Sequence, residues 1–448
     1  MHSKNLYDNI NKIVKNDKLV IHYIFKINVI IFGMQNNKHT SNNILLITVG
    51  GNSAPIITAI SATKPALTIF ICTEDSCQQV SKKGIFIKAS FADKKPTLPN
   101  IPTQAKIQNF QILIVPADDL TQTCILLKEK IQQLLQEYPQ HKIIADYTGG
   151  TKTMSASLVV VSLQYRQIQL NLTTGERLNL IKVSDNTQIS QNIKAEQLQN
   201  QIAEKPYLLL WQGYFFNSAA IGFKNINKNY ATLCHGFAQW DDFKYQMAYD
   251  ILKPYKKQII KNYNSGREIF NNLIILNNPQ HKLYKPLLII DLYQNCLRCV
   301  DKKKYDDAVI RIYRMMELIA QWMLEFHLKI KTCDIDESVI KKLPKEINII
   351  KNKEGKYQAG LWVSYQIIMA LLPKTHLTQQ IKTELDILRD LTLIRNNSIL
   401  SHGFAPVWQK DWLKWQNWLQ NKFLPVIIKQ FLMSANYKVR LLQLPNQP

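Results

Sequence analysis

From Ile44 onward the chain alternates continuous apolar runs with segments of helical spacing. ILLITVG (44–50), ALTIFICT (66–73), FQILIVP (110–116) and KIIAD (142–146) are apolar at nearly every position. A parallel strand covered on both faces reads this way, because both of its sides are buried. Between these runs lie GGNSAPIITAI, TQTCILLKEKIQQLLQEY and MSASLVVVSLQY, the first with Asn52 or Ser53 as cap and Pro55 in its first turn. IQLNLTT (168–174) and LNLIKV (178–183) read as a closing hairpin around Gly175. Strands alternating with helices predict an α/β N-terminal domain over 44–185, Rossmann-like with a mostly parallel sheet.

The period then changes. Residues 186–290 begin polar, turn apolar and aromatic at LLLWQGYFFNSAAIGF, and continue with helical spacing at WDDFKYQMAYDIL. They predict a helical connector whose tryptophans and tyrosines, with His235, belong to a core. Residues 291–435 predict an all-α C-terminal helical domain. Two helices broken near Lys302–Tyr305 come first, then a third over 360–372. A fourth runs through TELDILRDLTLIRNNSILSHGF, and a fifth starts at Trp408. The tail, 436–448, reads as a short strand or loose chain.

Upstream, residues 1–43 are polar and rich in Lys and Asn, apart from an apolar run over 21–33 broken by Lys26. That run is shorter than the roughly 20 residues a membrane span needs, and no small-residue cleavage site follows it. It reads as an upstream extension of the reading frame with Met34 as the natural start. An amphipathic membrane tether is the alternative.

Charge and cysteine usage narrow the partners. Lys and Arg number 56 against 33 Asp and Glu, a formal net charge of +23, which favours a polyanion such as RNA or DNA. The lysines are scattered, so a basic solvated surface is the plain alternative. Seven cysteines, an odd number in a long chain, fit a reducing, cytoplasmic setting. Cys296 and Cys299 form a CxxC followed by His327 and Cys333, but the spacing matches no standard zinc module. Inside a helix it reads as two core thiols, so neither metal nor cofactor is expected.

Two loops are built for a ligand. Gly50-Gly51-Asn52-Ser53 follows the first strand, and Thr148-Gly149-Gly150-Thr151-Lys152-Thr153 follows KIIAD. In a doubly wound sheet ligands lie beyond the carboxyl ends of the strands, where the connection order switches. Glycines allow close backbone approach, hydroxyls and N–H groups at a helix start suit phosphate or ribose, and Lys152 adds a cation. The spacing is not that of a Walker A loop. Two tight strand–helix turns without a ligand are the alternative.

In the helical half, Arg395, Asn396 and His402 stand out. On a helix, seven positions advance about 700°, some 20° short of two turns, so Arg395 and His402 would share a face. A guanidinium can hold a phosphate that gains charge in a transition state, and an imidazole can relay protons. A surface arginine and a structural histidine are the bland reading. Arg311, Arg314 and Glu317 recur at three-residue steps, as in a salt-bridged surface helix; alternatively, Glu317 would orient Arg395 in a buried core.

RNNSILSHG resembles the R-N-x(4–6)-H signature of HEPN ribonucleases. LLITVGGNSAP together with DYTGGTKTMSASL is similar to CARF sensor domains. Their order matches the CARF–HEPN ancillary ribonucleases of type III CRISPR systems. The resemblance implies a sensor that binds cyclic oligoadenylate as an allosteric activator, with Gly51, Asn52, Ser53, Thr148, Gly149, Gly150, Thr151 and Lys152 as its ligand-binding residues. It also implies a metal-independent endoribonuclease acting on single-stranded RNA, with Arg395, Asn396 and His402 catalytic, Arg314 and Glu317 supporting, and a homodimer whose two motifs line one cleft. A non-catalytic nucleotide-sensing regulator is the alternative, and slow degradation of the ring by the sensor itself is a third. Neither ring size nor RNA sequence preference is written in these motifs.

Overall fold

A computed structural model describes residues 29–32, 42–88, 94–174, 177–178, 182–183 and 189–448. The chain divides into two units, Met1–Ala203 and Glu204–Pro448.

The first unit is a seven-stranded sheet flanked by helices. In chain order its main elements are β1 (Val29–Phe32), β2 (Asn43–Thr48), α1 (Ala54–Thr63), β3 (Leu67–Cys72), β4 (Phe110–Ile114), α2 (Leu120–Glu137), β5 (Lys142–Asp146), α3 (Lys152–Ser162), β6 (Ile168–Thr174) and β7 (Ile189–Asn192). The sheet order is β1-β4-β3-β2-β5-β6-β7. The inner strands β4, β3, β2, β5 and β6 are parallel, and the edge strands β1 and β7 are antiparallel to their neighbours. The continuous apolar runs have the cause expected: Ile44 and Leu46 face a core shared with α2 and α3, while Leu45 and Ile47 face the α1 side.

The closing hairpin needs correction. The antiparallel partner of β6 is Ile189–Asn192, with Thr174 opposite Ile189. Arg177–Leu178 and Lys182–Val183 pair only with each other, so the 168–183 hairpin does not form. Ile189–Asn192 is partly or fully exposed along its length, so it carries no apolar pattern to read. Four residues of the segment read as an extension, Val29–Phe32, pair with β4 along the sheet edge; Met34 lies outside the described residues.

The second unit is helical. Its main elements are α4 (Phe216–Phe223), α5 (Lys228–Asp241), α6 (Tyr245–Leu252), α7 (Gly266–Leu276), α8 (Tyr284–Asp301), α9 (Tyr305–Leu328), α10 (Leu361–Leu371), α11 (His376–Thr383), α12 (Leu385–Asn397), α13 (Gln409–Trp418) and α14 (Leu424–Ala435). One core is aromatic, built on Trp211, Phe223, Phe237, Trp240 and Phe270. A larger one joins α8 to α14 through Met316, Trp322, Tyr365, Leu391, Trp412 and Phe431. His235 does not join the first core: it is exposed while Leu233, Cys234, Gly236 and Phe237 around it are buried. The tail is tied down. Pro445 O accepts from Trp211 Nε1 at 2.8 Å, and Gln447 O accepts from the Tyr263 hydroxyl at 2.8 Å.

No helix among the described residues is long and apolar enough to cross a membrane. Cys296 and Cys299 are buried, and burial raises both thiol pKa values. Cys296 Sγ donates to Ala308 O at 3.4 Å. Among the described residues, no three His, Cys, Asp or Glu side chains are grouped to hold a metal ion.

Candidate functional sites

The first site forms where the sheet changes direction. From β2 the chain steps outward to β3 and β4, then returns to place β5 on the other side of β2. The switch point therefore lies between the carboxyl ends of β2 and β5, whose register pairs Ile47 with Asp146. Both glycine loops emerge there, and they touch backbone to backbone. A Cβ on Gly50 would stand 2.7 Å from Gly150 N, and one on Gly149 would stand 2.7 Å from Thr48 O. Gly150 adopts φ +81°, a left-handed conformation that disfavours any side chain.

Side chains lock this junction from below. Thr48 Oγ1 and Ser155 Oγ donate to Gly149 O at 2.6 and 2.7 Å. Buried Asp146 accepts from Thr148 N at 3.0 Å, Asn171 Nδ2 at 2.5 Å and Thr173 Oγ1 at 3.3 Å. Burial pushes its carboxyl above the usual range, and the hydrogen bonds from Thr148, Asn171 and Thr173 pull back against that. Thr151 caps α3 by accepting from Met154 N at 3.2 Å and also donates to Ala117 O at 2.8 Å. Thr148 Oγ1 accepts from Thr173 N at 2.7 Å.

The eight residues expected at the ligand thus divide. Thr148 and Thr151 spend their hydroxyls inside the fold, and Ser53 is buried at the start of α1 without a side-chain cap bond. Asn52 caps that turn instead, accepting from Ala54 N at 3.0 Å. Gly51 and Lys152 are exposed at the rim.

The second site is the end of α12. The helix stops at Asn397, and Ser398 is already extended, at φ −73° and ψ 148°. The expected helical phase between Arg395 and His402 is therefore wrong, because His402 lies in the turn beyond. The motif is held by a fold-back instead. Ala405 N donates to Asn397 O at 3.0 Å, Ile399 N to Ala405 O at 3.1 Å, and Gly403 N to Ser398 O at 3.2 Å. Gly403 lies so close that a Cβ there would be 2.2 Å from Asn397 O. These backbone bonds fold 398–405 back against the C-terminal end of α12, and His402 in that turn is exposed.

Arg395 is half-buried. Its guanidinium lies 4.6 Å from the centroid of the Tyr313 ring, and its NH1 donates to Asn396 Oδ1 at 2.9 Å. Its Nε is buried without a hydrogen-bond partner. Glu317 does not hold it: the Glu317 carboxylate takes Arg314 NH1 at 2.9 Å. Arg311 pairs with Asp307 at 2.9 Å and with Asn295. Tyr313 was missed in the sequence because it sits 82 positions from Arg395 with no motif joining them. Burial raises its phenol, the nearby Glu317 raises it further, and Arg395 lowers it. Gly403 did leave a signal, as a glycine directly after the candidate histidine.

Residues 278–423 match the family model described as the Csm6 HEPN domain. No curated protein matches the chain in sequence. Csm6 from Enterococcus italicus, solved with cyclic hexa-2′-fluoro-hexa-dAMP bound, shares its fold at TM-score 0.54 and 12% identity, over 89% of this chain and 96% of that one. Can2 from Sulfobacillus thermosulfidooxidans, solved with cyclic tetra-adenylate, aligns at TM-score 0.23 and 13% identity over 58% and 68% of the two chains, too distant to bear on the fold. The chain thus has a doubly wound α/β unit and a helical unit that matches the Csm6 HEPN model over 278–423.

Proposed function

We propose that this chain is a ribonuclease of CRISPR antiviral defence, switched on by cyclic oligoadenylate. The observation that carries the reading is the Csm6 HEPN match over 278–423, which contains Arg395, Asn396 and His402 at one exposed helix end. The glycine junction at the sheet switch point supports the sensor half, since Gly51, Asn52 and Lys152 offer backbone, amide and ammonium groups to a phosphate–ribose ring.

The chemistry follows from the groups at the α12 end and needs no metal. His402 takes the proton from a ribose 2′-OH as that oxygen bonds to the adjacent phosphorus. The bond from phosphorus to the 5′-oxygen breaks, that oxygen receives a proton from the His402 imidazole of a second copy of the chain, and a 2′,3′-cyclic phosphate remains. Arg395 leaves the Tyr313 ring face to neutralise the charge that develops on the phosphorane, and its unpartnered Nε is a donor in waiting. Asn396 orients Arg395 through the bond they already share.

One imidazole cannot be both base and acid in one step, so the site is completed by a second copy of the chain. Leu393, Ile399, Leu400, Phe404 and Trp408 surround the motif as exposed apolar surface, suited to a homodimer interface. Cyclic oligoadenylate acts by binding one arrangement of that dimer better than another. The test is His402→Ala in the full chain. RNA cleavage is expected to vanish while affinity for cyclic oligoadenylate is kept. Undiminished cleavage would exclude His402 from the chemistry.

A further inference from the structure

Beside Arg395 lies a cavity of ≈ 420 Å³ whose walls are mostly apolar. Three elements make it. Tyr313 comes from α9, Gly360 and Trp362 from the start of α10, and Arg389, Leu393 and Asn396 from one stripe of α12. One wall is an aromatic–arginine pair, and a second such pair adjoins the cavity through Tyr313. Arg395 lies over the ring of Tyr313 at 4.6 Å, and Arg389 lies over the ring of Trp362 at 5.4 Å. Asn396 belongs both to the cavity wall and to the catalytic pair.

We infer that this cavity seats one nucleobase of the RNA, that of a nucleotide flanking the scissile phosphate. The inference rests on the ribonuclease reading above and adds a specificity pocket to it. A phosphate held by Arg395 has its own ribose and base within one nucleotide of the cavity, because Asn396 spans both. The cavity offers what a base needs: a π-face on Trp362 and Tyr313, a guanidinium on Arg389 to sandwich it or to follow the phosphate chain, and an amide on Asn396 for its edge. A buried apolar side chain of a partner protein would gain nothing from an arginine and an amide. An isolated anion would gain nothing from the rings. A base on a phosphate backbone uses all of them.

Gly360 provides a clean way to close the pocket. It starts α10 with an extended backbone, φ −71° and ψ −178°, which any residue adopts. A Cβ added there meets nothing within 4 Å. Gly360→Phe therefore adds a ring at the cavity's lining without a clash at its Cβ, and it lies outside the catalytic groups. Trp362→Ala removes the stacking face from the other direction.

The experiment uses full-length protein with its cyclic activator and short RNAs cut at one defined bond, with an abasic residue at either flanking nucleotide. Stacking of one base is worth a rate factor of about 5- to 150-fold. At one of the two positions the abasic substitution is expected to lower kcat/KM by that factor in the unaltered protein. In Gly360→Phe and Trp362→Ala the same substitution is expected to have little further effect. Abasic tolerance at both positions, or a loss that persists unchanged in both variants, overturns the inference. A second readout does not need cleavage: 2-aminopurine placed at each flanking position of a 2′-O-methyl RNA is expected to lose fluorescence on binding, and to regain it with Gly360→Phe. Quenching without any cleavage of ordinary RNA would sink the ribonuclease reading and leave the base pocket standing. Cleavage without quenching would do the reverse.

Discussion

Gly403→Ala tests how the histidine is held. Residue 403 is packed against the backbone of Asn397, and a Cβ there would lie 2.2 Å from Asn397 O and 2.3 Å from its carbonyl carbon. Neither atom belongs to a flexible side chain. Ordinary contact begins near 3.4 Å, so the loop must retreat by about 1.2 Å. The retreat breaks or stretches the bonds from Ala405 N to Asn397 O and from Gly403 N to Ser398 O, at 3.0 and 3.2 Å. His402 is the neighbouring residue and must move with the loop. A displacement of about 1 Å in a proton-transferring group costs on the order of 100-fold in rate. The loop is exposed at Ile399, Leu400 and Phe404, so the core of the domain is spared. The assay is activated RNA cleavage under saturating substrate, alongside thermal melting and cyclic-oligoadenylate affinity. A fall in kcat of about 100-fold is expected, with melting and affinity nearly unchanged. A variant with the parent kcat would refute the fold-back as the device that sets the histidine.

Other outcomes follow from the same geometry. Arg395→Ala is expected to lower kcat by on the order of 100- to 1,000-fold with little change in activator affinity, read by single-turnover cleavage. Gly149→Ala drives a Cβ to 2.7 Å from Thr48 O and parts the two sensor loops. With about 1–3 kcal/mol of overpacking, titration calorimetry should show activator affinity weakened about 5- to 150-fold. Asp241 is buried, which opposes its ionisation, yet Arg298 and Lys302 hold its carboxyl below the usual range. A lowered carboxyl contributes stability above its unfolded pKa, near 3.9, and loses it as pH falls through the folded value. Asp241→Asn leaves the fully buried Arg298 without its ion pair. It should cost about 3–5 kcal/mol in urea unfolding at neutral pH and flatten the acid dependence of stability.

How far the sequence spoke can be judged element by element. The inner strands were legible because burial on both faces leaves few polar positions, as in Leu67–Cys72, which is buried throughout and polar only at Thr68. The glycine loops were legible because backbones in contact tolerate no Cβ, and Gly50, Gly149 and Gly150 are what that contact requires. The break between α8 and α9 fell where the lysine run predicted it, at Lys302–Lys304. The end of α12 was misread because a period of 3.6 was carried through Asn396-Asn397-Ser398. Such side chains compete for backbone hydrogen bonds and favour leaving a helix. β7 was missed because an exposed edge strand such as ISQN has no apolar face to give it away. The pairings of Arg395 with Tyr313 and Arg389 with Trp362 are long-range, so no local pattern contains them.

In the proposed function, a second messenger bound by the α/β unit controls RNA cleavage by the helical unit. The direct measurement is the initial rate of cutting of a labelled single-stranded RNA in EDTA, with cyclic tetra- or hexa-adenylate added or withheld. Cleavage that rises sharply with one of the rings and leaves 2′,3′-cyclic phosphate ends is the expected result. Equal rates with and without either ring, or activity that disappears in EDTA, would contradict it.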